Sequence, residues 1–74
     1  MYKTTDIILA ACLRLEGYNM VKIEIAGSKG TFVFDAVDQT FIDAYDLGQC
    51  KVEPVLFNNT IKQLTTSVRR MVNR

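Results

Sequence analysis

The sequence contains no histidine, and this absence excludes several kinds of active site. Histidine is the most frequent general base in enzymes and the usual nitrogen ligand of zinc. Catalytic pairs of serine or cysteine with histidine are therefore excluded, together with most zinc chemistry. Catalysis by carboxylates stays open, because the chain contains eight acidic residues.

Cysteine is scarce as well, with Cys12 and Cys50 the only two in the chain. Two cysteines are too few for the disulfide framework of a small secreted domain, and they lack the closely spaced pairs that hold zinc. We expect both to be buried thiols that behave as small hydrophobic side chains in a reducing cytoplasm.

Long hydrophobic runs are also missing. Near the N-terminus, Lys3, Asp6 and Arg14 interrupt the apolar residues. A signal peptide needs a charged start followed by an unbroken apolar stretch, and a membrane-spanning helix needs about 20 apolar residues. The sequence therefore predicts neither a signal peptide nor a membrane span, and it predicts no membrane partner.

Hydrophobic residues nevertheless make up 49% of the 74 residues. A chain of this size forms one domain, residues 1–74, and buries only about 60% of the surface that its unfolded form exposes. The composition thus supplies more apolar surface than so small a core encloses. We expect a homo-oligomer or a complex with a protein partner.

The net charge of +1 conceals an uneven distribution. Residues 35–53, the acidic segment, hold five acids against Lys51 alone, a net charge of −4. From Pro54 onward there are four basic residues and no acid, a net charge of +4. The basic residues are Lys62, Arg69, Arg70 and Arg74.

The first half of the chain predicts a helix followed by a hairpin. Thr4 or Thr5 can cap a helix with Asp6 in its first turn and an apolar body at residues 7–15, which Gly17 ends. Val21 and the isoleucines that follow it alternate with charged residues, as in a strand with one buried face. Residues 27–30 predict a four-residue turn into a return strand at residues 31–34.

The second half predicts two more helices. Asp38 can cap a short helix through Tyr45, with Phe41, Ala44 and Tyr45 facing inward. Residues 50–52 can form a third strand. Pro54 suits the first position of the last helix. Its apolar seam consists of Phe57, Ile61, Leu64, Val68 and Met71. The fold class is therefore α+β, a small antiparallel hairpin or three-stranded sheet packed with helices, in the order α-β-β-α-(β)-α.

The first residues follow the pattern Tyr-x-Thr-x-Asp-x-x-Leu-Ala-Ala, which begins at Tyr2. The positions that continue the pattern are Gly17, Tyr18, Phe32, Val33, Phe34, Tyr45, Gly48, Val52, Pro54 and Phe57. Across most of its length the chain resembles a family of small uncharacterised bacterial and phage proteins, a domain of unknown function. The resemblance implies the fold, a phage or mobile-element setting and a cytoplasmic location in a bacterial host cell. It implies no activity and no functional residue.

Two other patterns have structural explanations that we prefer to functional ones. Asp35, Asp38, Asp43 and Asp46 lack the alternate spacing, central glycine and closing glutamate of a calcium loop. Residues 27–30 join two strands, whereas a phosphate-binding P-loop is longer and leads into a helix. We therefore predict a protein that is not an enzyme, with no catalytic residue, metal site, cofactor or small-molecule substrate.

Two functional hypotheses follow. The first is a non-enzymatic phage- or mobile-element-type protein that acts by protein–protein binding or self-association, steered by its two oppositely charged segments. Inhibition of a host protein is one form of it. The second is a small nucleic-acid-binding regulator that places Lys62, Arg69, Arg70 and Arg74 on phosphates. These cations also have structural roles, because they offset the helix dipole and their stems cover apolar surface.

Overall fold

The structure is a computed structural model, and it describes residues 1–73 of the chain. Three helices pack with one three-stranded antiparallel sheet, which confirms the predicted α+β class. The sheet has the strand order β1-β3-β2. The elements are β1 (Tyr2–Thr4), α1 (Ile7–Glu16), β2 (Met20–Ala26), β3 (Lys29–Phe34), α2 (Gln39–Asp46) and α3 (Pro54–Val72).

The third strand is β1, and the prediction of a strand at residues 50–52 is wrong. β1 pairs with β3, so that Tyr2 lies opposite Phe34 and Thr4 lies opposite Phe32. Three residues are too few to show the period-two pattern of a strand, so β1 could not be predicted from the sequence. It forms because its backbone pairs with the free edge of β3. Residues 50–52 lie instead in the irregular connection between α2 and α3.

The hairpin turn is shorter than predicted. Ala26 pairs with Lys29, which leaves only Gly27 and Ser28 in the turn and makes Gly30 part of β3. Gly27 has a φ of 64°, a conformation that glycine adopts without steric cost. Two-residue turns of this kind match the right-handed twist of the strands they join.

A bulge near the start of β2 changes which residues face the core. Met20 lies opposite Phe34 and Lys22 lies opposite Val33, so Val21 is an extra residue between two pairs. One extra residue reverses the alternation of faces. Val21 is consequently 44% exposed, although the alternating pattern predicted that it is buried with Ile23.

Helix α1 is capped by Asp6, and the prediction of Thr4 or Thr5 as its cap is wrong. The Oδ1 atom of Asp6 accepts hydrogen bonds from the backbone N–H groups of Ile8, at 2.9 Å, and Leu9, at 3.3 Å. Thr4 is held in β1 and accepts a 3.1 Å hydrogen bond from the N–H of Asp6 instead. The carboxylate therefore satisfies two of the free N–H groups of the first helical turn.

The core lies between the helices and the sheet face that carries Phe32 and Phe34. Residues 9–13 of α1 are all buried, as the apolar composition of this helix predicts. Gly17 ends α1 in the left-handed conformation, as expected. The buried cluster consists of Leu9, Ala10, Ala11, Leu13, Phe32, Phe34, Ile42 and Leu64.

Helix α2 has the predicted cap at Asp38, which accepts a hydrogen bond from the backbone N–H two residues on. Its inward side differs in part from the prediction. Ile42 is the buried residue of this helix, whereas Phe41, Ala44 and Tyr45 are half-buried. Phe41 and Tyr45 still pack against the core, so α2 covers its edge.

Helix α3 begins at Pro54 as predicted and is capped by the Glu53 side chain. Its predicted seam is confirmed at four of its five residues: Leu64 is buried, and Phe57, Ile61 and Val68 pack against the core, whereas Met71 is half-buried and lies outside the core cluster. Although α3 is the longest helix, no helix within residues 1–73 is both long and apolar enough to cross a membrane.

Candidate functional site

The four basic residues predicted as a contact surface do not lie together. Lys62 and Arg70 are exposed and line a cleft on one side of α3. Arg69 is also exposed, but it lines a different depression, beside Phe32 of β3. Arg74 lies outside the residues that the structure describes. The predicted group therefore divides into a pair and a separate residue.

A third cation, Arg14 of α1, lines the same cleft as Lys62 and Arg70. The cleft has a volume of about 440 Å³, and we call it the basic cleft. Its other lining residues are Gln63, Leu64, Thr66 and Ser67. Arg14 was not predicted to belong to a site, because in the sequence it is only a single charged residue within an apolar helix. The packing of α1 against α3 is what brings the three cations together.

The positive charges of the basic cleft have no acidic partner within the described chain. No acid lines the cleft, and the ion pairs among residues 1–73 join Lys3 and Lys22 to Glu24, at 3.1 and 3.5 Å. Hydrogen bonding and attraction to Lys3, followed by attraction to Lys22, lower the pKa of Glu24. The acidic segment therefore makes no salt bridge with the cations of α3.

All five acids of the acidic segment are exposed, but three also have local structural roles. The carboxylates of Asp38 and Glu53 cap helices, and Asp43 accepts a 3.0 Å hydrogen bond from Nε2 of Gln39. In the part of the chain that the structure describes, no three side chains of the metal-ligating types are placed to hold an ion. The acidic segment is therefore a charged surface built partly from helix caps.

Large hydrophobic side chains are exposed next to this acidic surface. Leu47 follows α2 and is 73% exposed, while Val55 and Leu56 in the first turn of α3 are 62% and 55% exposed. They flank the connection at residues 48–53, which carries the last acid of the acidic segment, Glu53. This end of the molecule thus combines negative charge with uncovered apolar surface, and exposed apolar surface is a feature of protein interaction sites.

A groove of about 330 Å³ lies beside these residues, between α1, α2 and the start of α3. Cys12 of α1 and Cys50 of the connection both line it, so we call it the thiol groove. Its other lining residues are Leu15, Glu16, Phe41, Ala44, Gln49, Lys51, Val52, Glu53 and Leu56. Sequence reasoning missed this pairing of the two cysteines, because they lie far apart in the chain.

The two thiols have different surroundings. Cys12 is buried, as predicted, whereas Cys50 is only half-buried, which corrects the expectation that both are buried. Burial raises the pKa of Cys12 to about 12, with further contributions from hydrogen bonding to Cys50 and from the negative charge of Asp6. At neutral pH, Cys12 is therefore a protonated thiol that interacts with a second thiol.

Tyr45 of α2 lies close enough to both cysteines for their charges to contribute to its raised pKa. Burial, followed by its hydrogen bond to Asp6, raises the pKa of Tyr45 to about 12. Burial and the charges of Asp46 and Asp6 also raise the pKa of Tyr2. These phenols hold their protons at neutral pH, so neither is suited to act as a general base.

Comparison of the chain with protein-family models, with curated proteins and with solved structures finds no match. The resemblance to small bacterial and phage proteins therefore stays a prediction that rests on the residues quoted for it. Function has to be argued from the basic cleft, the acidic segment and the exposed residues beside it.

Proposed function

We propose that this protein is a non-enzymatic binding module that associates with a second copy of itself. The observation that supports this most is that, among residues 1–73, neither of its two charged surfaces makes a salt bridge. Arg14, Lys62 and Arg70 make no salt bridge to the acidic segment within the chain. Each surface is free to attract its counterpart on another copy, and such complementarity steers association.

Apolar contacts would supply the affinity that charge alone does not. Leu47, Val55 and Leu56 lie exposed around the acidic end of the molecule, where a docking partner would cover them. Burying apolar surface stabilises a complex by roughly 25 cal/mol per Å², before the costs of association. Charged residues around these side chains would set the orientation of the second copy.

The described titratable groups also favour binding over catalysis. The pKa values of Tyr2, Cys12 and Tyr45 are raised and that of Glu24 is lowered, so all four move away from neutrality. Catalytic acids and bases have pKa values tuned toward the working pH. This arrangement supports a role without proton-transfer chemistry.

A charge-exchange experiment tests the association. One variant carries Lys62→Glu and Arg70→Glu, and the other carries Asp43→Lys and Asp46→Lys. Each variant alone should be monomeric in sedimentation velocity at micromolar concentration, because two like-charged surfaces would meet. A mixture should associate, since the intact acidic segment of the first faces the intact basic cleft of the second.

Arg69→Glu is the matched control for the single change Arg70→Glu, because it reverses one charge on the same helix outside the basic cleft. This variant should associate as the unchanged protein does, and its association should weaken with added salt. A protein that stays monomeric at high micromolar concentration, or a mixture that stays monomeric, would refute self-association through these surfaces.

The resemblance to a bacterial and phage family supports a phage or mobile-element setting for this activity. In that setting the same surfaces would bind a host protein, and this protein would act by inhibiting it. Such a partner would present the charge pattern of a second copy. The host protein and a second copy would then compete for the surface that contains Lys62 and Arg70.

A second candidate function is binding of nucleic acid, which the basic cleft favours. Three cations and two hydroxyl-bearing side chains, Thr66 and Ser67, converge there without an acid. Three phosphate contacts on duplex DNA predict a slope of roughly −2.7 in a plot of log affinity against log salt. Single strands would give a shallower slope.

Fluorescence anisotropy with a short duplex DNA and a short RNA, across a salt series, tests this candidate. Arg70→Ala should weaken binding and make the salt slope shallower by about one contact. The control Arg69→Ala removes an equal charge outside the basic cleft and should leave the slope unchanged. Equal effects of the two substitutions, or no binding at low salt, would refute a phosphate site in the cleft.

A further inference from the structure

The two cysteines of the chain meet in the thiol groove from separate elements. Cys12 lies in the part of α1 that is buried all along residues 9–13, so its position is fixed by the core. Cys50 lies in the irregular connection, where residues 49–53 belong to no helix or strand. A disulfide requires the two Cα atoms to lie within about 7 Å of each other, and closure at Cys50 would break no hydrogen bond of a helix or the sheet.

We propose that Cys12 and Cys50 form a redox pair that closes into a reversible intrachain disulfide across the thiol groove. The oxidant is a small disulfide such as oxidised glutathione. The chemistry is thiol–disulfide exchange, and it modifies two residues that sequence reasoning treats as inert hydrophobic side chains. Closure of this bond requires no second copy, so it is independent of the proposed function.

The order of the two exchange steps follows from exposure. Cys50 is the more exposed thiol, so its thiolate attacks the oxidised glutathione and releases one glutathione thiolate. Cys12 is a protonated thiol at neutral pH, so its proton leaves as its sulfur attacks the Cys50 sulfur of the mixed disulfide, and the departing second glutathione thiolate takes up that proton. Two protein thiols lose two electrons and two protons in total, and one oxidised glutathione becomes two reduced molecules.

The bond would change both stability and the shape of the groove. It closes a loop of roughly 40 residues that contains β2, β3 and α2, which restricts the unfolded chain and raises the melting temperature by roughly 10 °C or more. It also ties the connection to α1 beside Leu56. Oxidation would thereby fix one wall of the thiol groove.

Incubation of dilute protein with oxidised glutathione tests the pair. Intact mass should fall by two hydrogens, both thiols should resist alkylation after denaturation, and the melting temperature should rise until a reductant is added. Cys50→Ser should show no such rise. Cys12→Ala, a change tolerable in a buried helix, should instead retain a glutathione adduct on Cys50.

Three results would overturn the redox pair. One is a stable glutathione adduct on Cys50 of the unchanged protein, which would mean that Cys12 does not reach it. Another is disulfide-linked dimers as the main product in dilute solution. The third is a protein in which both cysteines still react with an alkylating reagent after treatment with oxidised glutathione, under conditions that fully oxidise a reference dithiol.

Discussion

The phenolic Oη of Tyr45 donates a 2.8 Å hydrogen bond to Oδ2 of Asp6, a residue 39 positions earlier in the chain. The other oxygen of the same carboxylate, Oδ1, caps α1. One side chain thus joins α2 to the start of α1 and satisfies backbone N–H groups there. The charge of Asp6 contributes to the raised pKa of Cys12, and the charge of Cys12 contributes to the raised pKa of Tyr45.

Tyr45→Phe should destabilise the protein by about 1 kcal/mol, because it removes one hydrogen bond to a charged acceptor and leaves the ring in place. Urea denaturation at pH 7 measures the loss. Tyr18→Phe is the matched control, since Tyr18 is also half-buried and packs by its ring, edge-to-face against Phe41. If the two substitutions cost the same, the Tyr45 hydrogen bond contributes nothing specific.

Substitutions of Asp6 should separate its two roles. Asp6→Asn keeps an oxygen that can cap α1 and weakens the contact with Tyr45, so it should cost less than Asp6→Ala, which loses both. We expect about 1–2 kcal/mol for the alanine variant. In a double-mutant cycle with Tyr45→Phe, the alanine pair should cost less than the sum of the single changes. Full additivity would show that the hydrogen bond between Tyr45 and Asp6 contributes no coupling energy.

Stability should fall on the alkaline side. The pKa of Tyr45 rises from 10.0 to about 12 on folding and that of Cys12 from 9.0 to about 12, so the folded state holds these protons more tightly. The resulting stabilisation is complete below pH 9 and is lost as the pH rises toward 12. Denaturation series at several pH values should show a shallower fall in Tyr45→Phe. Parallel curves for this variant and the unchanged protein would contradict the assignment.

Gly30→Ala should destabilise the contact between β3 and α3. A Cβ atom at this position would lie 2.8 Å from Cγ2 of Val68, whose branched side chain has little freedom to move away. We expect a loss of about 1–3 kcal/mol, as for other overpacked contacts. Adding Val68→Ala removes the obstructing methyl groups, so the double variant should be more stable than the two separate losses predict. A strictly additive result would rule out this steric explanation.

Much of the fold was predictable because its signals act over a few residues. The seam of α3, its start at Pro54, the cap at Asp38 and the end of α1 at Gly17 depend on side-chain spacing and local hydrogen bonds. Capping at Asp6 was missed, because Thr4 and Thr5 are also preferred cap residues by type. Only the tertiary structure shows that Thr4 is held in β1.

The candidate site was less predictable than the fold. The sequence identified Lys62 and Arg70 but grouped them with Arg69, because residues adjacent along a helix point in different directions. Arg14 carried no signal of its own. It joins the basic cleft only because α1 packs against α3.

The sequence by itself determined the α+β class, the amphipathic last helix, the separation of charge along the chain and the exclusion of histidine chemistry. Those properties follow from composition and short-range periodicity. The tertiary structure alone decided the strand β1, the exposure of Val21 at a bulge, the basic cleft and the meeting of Cys12 with Cys50. Each of these depends on contacts between elements distant in sequence, which form only when the whole hydrophobic core assembles.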